Sequence, residues 1–320
     1  MKTLFNITTS SDDMDRFHTQ EDFLNLMDGF DGVELMYYGN DEHNIIPRER
    51  VIGVHMNYFP YWLDFWNQDE EALIREFGSM NVCEKVYGST NPERMIERFR
   101  KDMKIAHEYG AEYVVFHTTD ARIEETFTEK YGHTDEEVIH GVIEMVNEIL
   151  RDEDGEIAFL VENLWQPGFT FTRPQMTRRL LDGIQYENKG IMLDTGHLLH
   201  TDFSICSQEE GIKYIHKMLD AHGELCKYIR GIHLNQSLTG EYVKDVQKNP
   251  PEMAKDYMER LGQMFWHAFA VDKHLPFTGE GVDTLVERID PEYLTFEFIT
   301  ANSTQHLEYL KMQRKALKML

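Results

Sequence analysis

Side chains able to do chemistry recur at one kind of place in this chain. Short apolar runs end in ionisable residues: Val54-His55-Met56-Asn57, Val115-Phe116-His117-Thr118, Leu160-Val161-Glu162-Asn163, Leu193-Asp194-Thr195-Gly196-His197, Gly231-Ile232-His233-Leu234-Asn235 and Thr295-Phe296-Glu297-Phe298. Asp272-Lys273-His274 follows the same style just before Leu275-Pro276-Phe277-Thr278-Gly279-Glu280-Gly281. One histidine or carboxylate at the end of a run is ordinarily a satisfied polar group. Six such ends are costly unless they share a partner, because a strand buried on both faces leaves an ionisable group without water. A divalent metal ion is the partner that suits mixed imidazole and carboxylate donors. The spacing of Asp194-Thr195-Gly196-His197 predicts a strand-to-loop bend, with His197 returning over the site and Gly196 permitting the turn.

The elements that must position these residues follow a rhythm. Apolar, β-branched or aromatic runs alternate with longer amphipathic segments, the pattern of βα units around a parallel sheet. Eight strands are predicted: Thr3–Thr8, Gly32–Tyr37, Val51–Asn57, Tyr113–Thr118, Ile157–Asn163, Gly190–Asp194, Ile229–Asn235 and Leu294–Ile299. Three- and four-residue apolar spacing predicts helices at Pro92–Tyr109, Asp135–Arg151, Gln208–Cys226, Met253–Phe269 and Ser303–Leu320. Asn91 caps the first of these, Pro92 takes its first position and Gly110 closes it. The stretch from Tyr38 to Arg50 is too short and polar for a full helix. The expected architecture is α/β, a (β/α)8 TIM barrel formed by residues 1–320 as one domain, with an inserted helical segment between strands seven and eight. A doubly wound open sheet fits less well, since no glycine-rich phosphate loop follows the first strand. In a barrel, the chemistry sits at the C-terminal ends of the strands, where these ligand-type residues fall.

Composition narrows the class. With 41% hydrophobic and 12% aromatic residues, the 320-residue chain can bury a sizeable core. No apolar stretch is long enough for a membrane span, and the opening Met1–Ile7 turns polar too soon for a signal peptide. Cys83, Cys206 and Cys226 lack metal-site spacing and suit a reduced, cytoplasmic protein. A net charge of −25 repels nucleic acid at long range and argues against it as a partner, although a local basic patch could survive within an acidic whole. Nothing suggests a Ser-His-Asp or Cys-His nucleophile.

This string of motifs resembles the xylose isomerase-like superfamily, which includes sugar isomerases and epimerases, inosose dehydratases and the endonuclease IV type of apurinic-site nuclease (AP endonuclease family 2). The resemblance runs from strand two to strand eight. Its most specific parts are Leu193–His197, Gly231–Asn235 and Asp272–His274 with the Gly-Glu-Gly tail. It implies Glu162, Asp194, His233 and Glu297 as general metal ligands, with His197 binding substrate or a second metal. The endonuclease IV branch, with its cage for three zinc ions, would add His55, His117, His197, Asp272 and His274, all present here. Tyr58 and Phe59 are similar to the aromatic and apolar pair that this branch presses into DNA. The chain departs from that branch at Gln236, where the family continues into aspartate, in the long segment between Asn235 and Asp272, and after strand two, where Tyr37–Glu42 holds no arginine. It departs from the ketose epimerases at Thr239, where an arginine would hold a substrate oxygen.

The resemblance thus implies a divalent-metal enzyme, with Zn2+, Mn2+, Mg2+ or Co2+ as cofactor. The leading expectation is an isomerase or epimerase of a sugar-like polyol or carbonyl compound, working through a metal-bound enediolate with Glu162 and Glu297 as acid/base pair. The alternative is a multi-zinc phosphodiesterase, and a weaker third is a barrel that binds a ligand without turning it over. His197, Trp165, Lys273 and Tyr58 are expected substrate contacts. The aromatic run Tyr58–Trp66 suits a lid or sugar platform, or equally core packing or an interface in a homo-oligomer.

Overall fold

A computed structural model describes residues 1–39 and 45–319. Eight parallel strands close into a barrel in sequence order: β1 (Lys2–Thr8), β2 (Gly32–Met36), β3 (Val51–His55), β4 (Tyr113–His117), β5 (Ala158–Glu162), β6 (Lys189–Asp194), β7 (Ile229–Leu234) and β8 (Tyr293–Phe296). The expected strands are all present, with ends differing by one to three residues. Asn40, Asp41 and Glu42 of the stretch read for an arginine lie outside the described residues, as does Leu320 at the end of the last expected helix.

The period of two along each strand separates two cores. Tyr113, Val115, Ala158, Leu160, Met192 and Tyr293 pack inside the barrel, whereas Val114, Phe116, Phe159, Val161, Leu193, Ile232 and Phe296 pack outward against the helices. Burying each such side chain fully contributes roughly 1.5–3 kcal/mol. The same alternation turns the next inward position of β4 and β5, His117 and Glu162, to the mouth, where the two are paired in register. Asp194 and His233 are likewise register partners at the ends of β6 and β7.

The helices begin and end as local chemistry dictates. Asn91 Oδ1 accepts from the Glu93 amide at the start of Glu93–Tyr109, and Gly110 ends that helix at φ 68°. Thr134 and Ser207 form capping boxes with Glu137 and Glu210 ahead of Asp135–Ile149 and Gln208–His222. The expected helix Met253–Phe269 is observed as Tyr257–Val271, begun by Asp256 as its cap. Between β7 and β8 it is joined by Gly240–Lys248 and Val282–Ile289.

The aromatic run after β3 is mostly core. Tyr61, Trp62, Leu63 and Phe65 are buried, and Phe65 stacks on Tyr87 with ring centroids 3.9 Å apart. Phe59 packs against Tyr87 and Phe99 rather than projecting outward. A buried ionic cluster ties this run to the loop after β4. His133 bridges Asp120 Oδ2 at 2.8 Å and Asp64 Oδ1 at 3.1 Å, Arg122 holds Asp64 Oδ2 at 2.7 Å, and Asp120 Oδ1 accepts from the Trp62 and Leu63 amides. Hydrogen bonds donated by its ring to Asp120 and Asp64 raise His133 to about 10. A raised folded value means that this contribution is complete below the unfolded value near 6.5 and fades as pH rises toward 10. Replacing His133 with glutamine should cost about 3 kcal/mol at pH 6. In chemical denaturation, the gap between wild type and variant should narrow steadily from about pH 7 to about 10.

Candidate metal centre

The strand ends deliver their donors to one buried cluster. His233 lies at its middle: its Nδ1 is 3.1 Å from Glu162 Oε1, 3.4 Å from Glu297 Oε2 and 3.9 Å from Asp194 Oδ2. Donor atoms of Glu162, Asp194, His233 and Glu297 all lie within 4.8 Å of one another, the arrangement a single divalent ion needs. Two further groups adjoin this one. His55, His117 and Glu162 form the first, with each histidine Nε2 3.2 Å from Glu162 Oε2. Asp194, His197 and His274 form the second, and Asp272 Oδ2 approaches His197 Nε2 at 3.0 Å and His274 Nε2 at 2.8 Å. Glu162 belongs to two groups, and so does Asp194. All nine expected donors are therefore brought together.

Local structure explains how each is held. Asp194 caps the short helix Thr195–Leu199, accepting from the His197 amide at 2.6 Å. Gly196 sits inside that helix, so its role is not the expected bend. A Cβ there would lie 1.9 Å from Asn235 Oδ1, which makes close approach its function. The Asn235 amide in turn donates to Asp194 Oδ2 at 2.8 Å and Glu297 Oε2 at 3.3 Å. Asn163 brackets Asp194 from the other side, donating to its carbonyl and accepting from its amide. Backbone pairing of Gln236 with Leu275 folds the Asp272–His274 segment back over the mouth, where His274 adopts φ 44°. Such a conformation is uncommon for a residue with a side chain and persists only where its surroundings hold it.

Charge at this site is unbalanced in a way that suits cations. Burial alone would raise Glu162, yet His233 and His117 hold it well below the carboxylate range. Glu297 is pushed up to about 7 by burial, with His233 and His274 opposing and Asp194 and Glu162 adding to the rise. Burial lowers His117 to about 4, leaving a neutral imidazole with a free lone pair. Burial also disfavours charge on His274, but Asp272 and Glu297 lift it to about 9. One ring nitrogen of His55 is already committed away from the cluster: Nδ1 meets the Met56 carbonyl at 2.9 Å, which leaves Nε2 facing inward. Buried carboxylates and imidazoles that hold one another's charge in this way offer a divalent ion a ready set of oxygen and nitrogen donors once the imidazoles give up their protons, and the donors fit that group.

Above the cluster lies a cavity of about 470 Å3. Its walls include His55, His117, His197, Asp272, His274 and Glu297, together with Tyr58, Trp165 and the helix residues Met264, Phe265 and Ala268. The Tyr58 ring lies 4.6 Å from that of His117, and Trp165 lies 5.3 Å from His197. Two of the expected residues stand apart from the cavity wall. Lys273 is exposed and is not part of the cavity wall, and its backbone amide donates to Ser237 Oγ at 2.7 Å. Glu162 is fully buried behind His55, His117, His197 and His233, so of the two glutamates only Glu297 reaches the cavity. Sequence reasoning missed Glu34, buried in mid-β2 with its carboxylate 2.8 Å from His233 Nε2, and His200, 3.4 Å from Asp272. The signal for Glu34 was available: it interrupts the apolar run Gly32–Met36 of a parallel strand.

The sequence profile of the xylose isomerase-like TIM barrel family matches residues 27–292, and the chain belongs to that family. No curated protein matches it by sequence. Among solved structures it is similar to a D-tagatose 3-epimerase-like protein, at 16% identity and a TM-score of 0.51, covering 100% of this chain and 99% of the other. Endonuclease IV from Thermus thermophilus aligns at 15% identity and a TM-score of 0.52, with both chains fully covered. The IOLI protein with a binding zinc atom aligns at 13% identity and a TM-score of 0.56, over 100% and 99% of the two chains. At these identities the likeness is one of fold.

Replacing Gly196 with alanine should displace Asn235 and cost about 2 kcal/mol, read as a lowered melting temperature of the metal-free protein.

Proposed function

We propose that this chain is a divalent-metal-dependent isomerase or epimerase of a small, sugar-like carbonyl compound. The observation that carries this reading is Glu297, a member of the central donor group that also forms part of the wall of a bounded cavity. A bound divalent ion would supply Lewis-acid polarisation of a carbonyl and its neighbouring hydroxyl. Glu297 is the group placed to take and return a carbon-bound proton, with the Asn235 amide orienting its Oε2. Glu162, Asp194 and His233 hold the site from behind. His197 and His274, both facing Asp272, are placed to bind substrate oxygens. Tyr58 and Trp165 offer faces for the apolar side of a sugar ring.

The small-substrate reading also has electrostatic support. Among the described residues of the wall, Arg16 is the only lysine or arginine, and it is held by Asp13, the Asp12 carbonyl and Thr300. A nucleic-acid backbone would lack its usual basic track here.

One observation favours a second reading, hydrolysis of a phosphodiester. The two flanking donor groups extend the central one through Glu162 and Asp194, as a multi-metal clamp on phosphate oxygens requires. Metal analysis of protein purified without chelator separates the two. A single manganese or cobalt ion per chain, with solvent deuterium entering ketoses or aldoses, supports the isomerase. One zinc ion per donor group, with turnover of simple phosphodiesters, supports the hydrolase. A protein that binds no metal after supplementation overturns both. In the isomerase case, Glu297→Gln should lower turnover by about 100-fold or more.

A further inference from the structure

We propose that Glu34 is a positioning residue for the metal centre, fixing which nitrogen of His233 faces the ion. The inference rests on the metal reading above but not on the reaction. His233 is fully buried, and its two nitrogens meet different surroundings. Nδ1 faces the carboxylates of Glu162, Glu297 and Asp194. Nε2 faces both oxygens of Glu34, at 2.8 and 3.0 Å. A neutral imidazole carries one N–H, and the hydrogen bond to Glu34 Oε2, with Oε1 close beside it, keeps that proton on Nε2. The Nδ1 lone pair is then the one available to a cation.

Glu34 is itself built in. It is 1% exposed, the Tyr113 hydroxyl donates to its Oε2 at 2.6 Å, and the Thr295 hydroxyl lies 3.3 Å from the same oxygen. Tyr113 can lie across the barrel because β3 carries Gly53 opposite it: a Cβ there would fall 2.2 Å from the Tyr113 ring. Gly53, Tyr113, Glu34 and His233 thus form one line through the barrel interior that ends at the central donor group. The two hydroxyls satisfy and hold the Glu34 carboxylate, so the oxygen that meets His233 Nε2 is fixed in place. Carboxylate partners of this kind raise the basicity of the ligand and fix its ring.

The test compares wild type with Glu34→Gln, which keeps an acceptor for Nε2 but removes the charge. Zinc affinity, measured by competition with a chromophoric chelator, should fall about 10- to 100-fold in the variant. The binding step weakened should be the one that His233→Ala abolishes, while binding at His55 and His117 persists. In zinc-loaded wild type, long-range 1H–15N correlations should show His233 protonated at Nε2 and coordinated through Nδ1. Equal affinity of wild type and Glu34→Gln, or coordination through Nε2, overturns the proposal. Should Glu34→Gln fail to fold, Tyr113→Phe leaves the carboxylate and removes one of its donors; a several-fold weaker zinc affinity then supports the proposal and an unchanged one overturns it. A wild type that binds no zinc overturns the metal reading itself, a result distinct from either.

Discussion

Five carboxylates buried within one barrel mouth are the constraint around which this structure is organised. Glu34, Glu162, Asp194, Asp272 and Glu297 are each at most 8% exposed. An isolated buried carboxylate is too costly for a fold with ordinary stability. Each is therefore met by imidazoles, amides or hydroxyls, most of them brought in from other elements of the barrel. Glu162 illustrates the density of this compensation, with His55, His117, His197 and His233 within 3.2 Å of its two oxygens. Such a cluster is stable as a set and fragile in its members, since removing one partner leaves another charge buried and unpaired.

The layers outside the cluster serve its geometry. Asn163 and Asn235 clamp Asp194 from neighbouring strands, and Gly196 gives Asn235 the space to do so. The Gln236–Leu275 pairing returns Asp272 and His274 to the mouth after a long excursion of chain. Helix Tyr257–Val271 closes one side of the cavity, and His267 pins it by bonding to the Tyr242 hydroxyl and the Thr126 carbonyl. Elsewhere on the rim, the His133 cluster locks the aromatic run to the loop after β4. Tyr58 is left at the edge of that locked unit, free to face the cavity while its neighbours form core.

Much of this was legible in the sequence. The eight strands could be read because a buried parallel strand is a short apolar run, and the helices because their apolar spacing and caps are local signals. The nine donors could be read because each ends such a run or stands in Asp272–His274. Roles were harder to read. Glu162 and Glu297 look equivalent at the ends of β5 and β8, yet one lies behind a screen of histidines and the other faces the cavity. Lys273 stands between two donors in sequence but lies outside the cavity wall they share. Tyr58 and Tyr61 belong to one aromatic run but end in cavity wall and core respectively.

What the sequence determined by itself was the periodicity of the barrel and the chemical inventory of its mouth, because both depend on residue type and spacing within single elements. What only the tertiary structure decided was which atoms meet. Glu34 and His233 stand 199 positions apart and touch across the barrel interior. Closure of the sheet through the β1–β8 pairing brings β2 within reach of β7, and no pattern within either strand carries that contact.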